Sequence, residues 1–98
     1  MTAPNVFYII VENYRGVDIK GRGISMNSRL LKAKRVEHGL RQKDLAKALG
    51  ITEKSMCLKE RSAQNKFKAS EMIILSKVLE LSLSEFNLIF FDGDLPFV

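Results

Sequence analysis

Residues 29 to 68 carry 12 basic and 4 acidic side chains, a net of +8 in a chain whose whole formal charge is +5. A block of that kind inside a folded segment suits a polyanionic partner, since cations paired with phosphates release condensed counterions. The groups that make and break bonds are not arranged for catalysis. His38, the single histidine, stands beside a glycine that ends a helical pattern and has no cysteine or carboxylate cluster at ligand spacing. It is expected to serve a helix C-terminus and not a metal. Cys57 is the only cysteine, which excludes an intrachain disulfide and a cysteine-based zinc site; it reads as a small, buried or half-buried packing residue. No glycine-rich phosphate loop follows a strand, and no carboxylate pair recurs at acid/base spacing. No enzyme, cofactor or metal is expected.

The elements that must position this charge are short. Ninety-eight residues, 46% of them hydrophobic, make one domain with room for four or five small helices and little room for an enclosed active site. The expected fold is all-α from residue 26 to 91, preceded by an arm over residues 1 to 25 and followed by a tail over 92 to 98. In the arm, VFYIIV at Val6 to Val11 is aromatic and β-branched, and a turn then leads to a weak second strand at Val17 to Ile19. Gly21, Gly23 and Ser25 mark a flexible junction. Two readings of the arm stand: a poorly ordered leader, with Met26 as an alternative start, or a dimerising or protein-binding strand presenting Val6, Tyr8 and Ile10. No apolar run reaches transmembrane length and no secretion signal is present, so a reducing, cytoplasmic setting is expected.

From Asn27 the apolar period changes to about 3.6. Asn27 or Ser28 caps a helix carrying Leu30, Leu31, Lys34 and Val36 to His38, and Gly39 ends it. Gln42 to Leu49 form a two-turn helix with Leu45, Ala46 and Leu49 inward. A third helix runs from the Thr52 cap to about Arg61. A fourth begins at Ala69 or Ser70 with Ile73, Ile74, Val78 and Leu79 at core spacing, and Ser84 caps a fifth holding Phe86, Ile89 and Phe90. Only Gly50, Ile51 and Thr52 separate the second and third helices. Glycine at the left-handed position, a buried aliphatic and a capping threonine fit a steep crossing, the geometry of a helix-turn-helix.

On Leu30, Lys34 and Arg35, Gly39-Leu40, Gln42-Lys43-Asp44-Leu45-Ala46, Leu49-Gly50-Ile51-Thr52, Ser55, Met56 and Glu60, residues 27 to 90 resemble the helix-turn-helix domain of phage repressor and Cro-like regulators of the Xre type. The resemblance implies a lambda-repressor-like fold and sequence-specific binding to a double-stranded DNA operator. It places Gln42 on a backbone phosphate and against the recognition helix, Thr52 at the helix cap and near a phosphate, and Glu53, Lys54, Ser55 and Leu58 toward base edges. Lys54 suits guanine O6 and N7, a leucine methyl suits thymine, and Glu53 suits either a cytosine amino group or the helix N-terminus alone. Arg35, Arg41, Lys43, Lys59, Arg61, Lys66 and Lys68 are the further phosphate candidates.

Two departures from the family pattern stand out. Ser62 follows the recognition helix where glycine is usual. Lys59 occupies a slot usually apolar, so that either Leu58 or Lys59 faces the core. A homodimer on a partly palindromic operator is the expected working form, with Phe86, Phe90 and Phe91 as further dimerisation candidates unless they pack in the core. The alternative function is a protein-binding module or antirepressor that sequesters a partner repressor through Glu53 and Leu58.

Overall fold

The computed structural model describes residues 25–93. They form five helices: α1 Ser28–Glu37, α2 Gln42–Leu49, α3 Glu53–Arg61, α4 Ala69–Val78 and α5 Leu83–Phe91. No strand occurs among the described residues, and none of their helices is long and apolar enough to cross a membrane. The expected strands and the candidates Val6, Tyr8 and Ile10 lie outside them, as does the tail beyond Gly93. Ser25, assigned to a flexible junction, instead makes an antiparallel bridge with Gln64, while Met26 N donates to Ala63 O at 2.8 Å.

Side-chain and backbone caps set the helix limits. Asn27 accepts from Leu30 N at 3.1 Å to start α1. Asp44 turns back on the amide of Arg41 at 2.8 Å to secure the first turn of α2. Thr52 accepts from Ser55 N at 3.0 Å and starts α3 without a reciprocal acidic partner. Gly50, at φ 70° and ψ 31°, supplies the left-handed turn between α2 and α3. At the far end of α3, Ser62 leaves at φ −69° and ψ 137°, an extended exit that does not call for glycine.

The start of α5 corrects the sequence reading. Its cap is Ser82 and not Ser84: the Ser82 hydroxyl accepts from Glu85 N at 3.1 Å and Glu85 accepts from Ser82 N at 2.8 Å. Ser84 has Asn87 three residues on and lacks the carboxylate that closes such a box.

Helix α1 packs against α3 and α5, and α2 against α3 and α4. The core between them holds Leu31, Leu45, Met56, Met72, Leu75, Leu79 and Ile89, closed by Met26 and Phe67. Leu79, just past the end of α4, is buried as expected, but within the helix Met72 and Leu75 are buried while the expected Ile73, Ile74 and Val78 are half-buried. Ser76 can share the buried face because its hydroxyl donates to Ile73 O at 2.6 Å, which leaves no unmet polar group.

Phe86, Phe90 and Phe91 are fully buried, with ring centroids 5.1 Å apart for Phe86 and Phe90 and 5.8 Å apart for Phe86 and Phe91. Phe67 meets Phe90 edge-on at 5.9 Å. These rings are the core of the domain and present no surface to a second copy, which removes them as dimerisation candidates.

Candidate nucleic-acid interface

The inner side of α3 is fastened at several points. Met56 is fully buried, and the buried Glu60 carboxylate takes Arg35 Nε at 2.7 Å and an Arg35 terminal nitrogen at 3.0 Å. Gln42 Nε2 donates to the same carboxylate at 3.0 Å, and the remaining Arg35 nitrogen donates to Leu40 O at 2.9 Å. One carboxylate thereby joins α1, α2 and α3, and the bidentate arginine fork suits it better than a lysine would.

Lys59 also turns inward, resolving which residue of the pair faces the body. Its Nζ lies 2.9 Å from the buried Glu71 carboxylate and 5.8 Å from the centre of the Phe67 ring. Glu71 in turn accepts from Lys68 N at 2.8 Å, so the carboxylate that starts α4 also holds α3. Leu58, its neighbour, is 48% exposed. A lysine serves in an apolar slot because its stem covers the ring while its ammonium meets a buried acid. Two phosphate assignments are corrected on this geometry: Arg35 and Lys59 both spend their charge on buried carboxylates.

With that side committed, α3 presents the opposite one. Lys54, Leu58 and Arg61 are exposed at helical i, i+4 and i+7 spacing, and Glu53 and Thr52 are exposed at its N-terminus. Ser55 is half-buried, its amide held by Thr52, and Cys57 is half-buried beside the stripe. Lys54 and Arg61 have no ion-pair partner among the described residues. The stripe therefore offers a lysine donor, a methyl surface and a guanidinium to a ligand without first breaking an internal bond.

Among the other phosphate candidates, Lys43, Lys66 and Lys68 are exposed, and Arg41 is exposed with its Nε 3.5 Å from Asp44. The Arg41 amide, aided by the charge of its guanidinium, holds the Asp44 carboxyl below the usual range. Gln42 is half-buried at the head of α2, bracing α3 through Glu60.

An open cleft of about 400 Å³ lies between α1 and α3. Arg29 and Lys32 line it from α1, Gln42 from α2, and Cys57 and Arg61 from α3, with the Arg35–Glu60 pair behind them. Arg29 and Lys32 were not among the sequence candidates. Their signal is the i, i+3 spacing on α1, which places both on one face but does not say which helix that face meets. His38 accordingly serves the end of α1, its Nδ1 3.0 Å from Lys34 O and its Nε2 3.3 Å from Glu80. Among the described residues no three metal-ligating side chains are grouped.

No family model, curated protein or solved structure matches the chain.

Proposed function

We propose that the protein is a sequence-specific regulator of transcription with a lambda-repressor-like helix-turn-helix, which lays the outer side of α3 in the major groove of double-stranded DNA. One observation carries the reading: Lys54, Leu58 and Arg61 are exposed, the two cations without an ion pair among the described residues, on one side of a helix whose other side is locked by Met56, Lys59 and Glu60. A groove about 12 Å wide accepts such a helix, and its base edges offer acceptors for Lys54 and thymine methyls for Leu58. Gln42 and Thr52, with Arg41, Lys43, Arg61, Lys66 and Lys68, are the residues assigned to the flanking phosphates. Regulation would follow from occupancy, two copies covering a partly palindromic operator in the cytoplasm of a bacterial or phage-infected cell.

Selection from random duplexes, followed by gel shift over a range of salt, tests the proposal. Lys54→Ala should weaken the selected site by about 1–3 kcal/mol while sparing random DNA. Equal losses on both DNAs would remove Lys54 from base reading, and failure of the native chain to enrich any duplex would end the operator reading.

Leu58 favours a second reading. A leucine 48% exposed on the helix that begins with the acidic Glu53 suits a protein partner as well as a thymine methyl, as in a module that sequesters another regulator. Light scattering of the chain mixed with a candidate partner repressor, alone and with Leu58→Asp, separates the two: that reading expects a complex which the variant abolishes.

A further inference from the structure

The cleft between α1 and α3 has an electrostatic imbalance that the fold does not use. Arg29, Lys32 and Arg61 converge on it, and none has an ion-pair partner among the described residues. Among the described residues the only carboxylate lining it is Glu60, already taken by both arms of Arg35 and by Gln42. Three cations are therefore gathered around a concave surface with no anion among the described residues left to balance them. Such a site relieves its own repulsion by accepting a multiply charged oxyanion, to which arginine offers paired donors.

The geometry points to the α1–α3 cleft as a phosphate seat formed by Arg29, Lys32 and Arg61, filled in the working complex by a DNA backbone phosphate beside the groove that α3 enters. This rests on the reading of α3 as a DNA-contacting helix, and continuity supports it. Cys57 and Arg61 line the cleft from α3 and border the Lys54–Leu58 stripe, so a strand alongside that stripe passes the cleft mouth. The effect on binding is independent of base sequence, because the partners are phosphate oxygens.

The protein carries its own reporter, since Cys57 is its only thiol. Two measurements on the full chain, native and Arg29→Ala/Lys32→Ala, decide the matter. In DNA titrations the variant should lose about tenfold affinity per lost contact at 0.1 M salt, equally on selected and random duplexes, with the log–log salt slope shallower by about 1 to 2. In the second, pyrophosphate should slow alkylation of Cys57 by iodoacetamide in the native chain and not in the variant. Both residues are exposed, so circular dichroism of the variant should match the native chain.

Native DNA binding with an unchanged slope in the variant would overturn the assignment to the DNA backbone. If, in addition, pyrophosphate protects neither protein, the phosphate seat itself is overturned. If the native chain binds no DNA yet pyrophosphate protects Cys57 only when Arg29 and Lys32 are present, the seat stands with a free phosphorylated ligand and the operator reading falls. If the native chain binds no DNA and pyrophosphate protects neither protein, the seat and the operator reading both fall.

Discussion

The residue that most constrains this domain is Glu60, whose carboxylate receives donors from Arg35 on α1 and Gln42 on α2. Removing one partner of a buried pair leaves the other charge stranded. Glu60→Ala should accordingly destabilise the fold by about 3–5 kcal/mol, measured by urea denaturation, whereas exposed Arg29→Ala should leave the midpoint nearly unchanged. A small effect of Glu60→Ala would mean that water replaces the carboxylate. The same residues show where sequence reading stops. Glu60 is visible as a motif position, yet the sequence makes Arg35 and Lys59 phosphate candidates and leaves Lys59 open between core and surface, because their partners, Glu60 and Glu71, lie 25 and 12 residues away. Periodicity tells which side of a helix a charge occupies; it does not tell whether an acid from another helix meets it there.

Among the elements, boundaries were legible wherever a local hydrogen bond or a left-handed residue sets them. Gly50 and Thr52 mark the ends of α2 and α3 where expected. The start of α5 was misplaced because two serines compete for it and only Ser82 has its glutamate three residues on. On α4 the buried residues are Met72 and Leu75 and not Ile73 and Ile74, because apolar residues surround much of that helix and spacing alone selects no side. Gly50→Ala should cost about 1–2 kcal/mol from its left-handed backbone, with no clash added, since no atom lies within 4 Å of the new methyl. Ser82→Ala should cost about 1 kcal/mol through the lost cap. Thermal unfolding of the two variants measures both.

The link between α1 and α5 adds a pH dependence. Its hydrogen bond with Lys34, then the Ser82 amide, lowers the Glu85 carboxyl, and the same bond raises Lys34, helped by Glu37. A lowered carboxyl contributes stability above its ordinary pKa, near 4.3, and loses it as pH falls through the folded value; a raised lysine contributes below its ordinary pKa, near 10.4, and loses it as pH rises past that value. Glu85→Gln should flatten both the acid and the alkaline limb of a urea-midpoint profile. Unchanged limbs would show that this pair carries none of the dependence.

For the molecule as a whole, the C-terminal aromatic residues decide stability and not assembly. Phe86, Phe90 and Phe91 are wholly enclosed, so Phe90→Ala should cost about 3–5 kcal/mol in denaturant unfolding. Any self-association must use other surfaces. Charge is also partitioned at this scale: the acid partners Glu60 and Glu71 face the interior, leaving Lys54 and Arg61 without an ion pair among the described residues on the outer side of α3. The carboxylate shared by α1, α2 and α3 has a kinetic consequence as well. If none of these segments can open without breaking the others' anchorage, amide protons in all of them should exchange with deuterium through a common event rather than by separate fraying. Should α3 enter a DNA groove as proposed, anchorage of this kind means that little ordering entropy is lost on contact and that the heat of association comes mainly from new bonds and displaced ions.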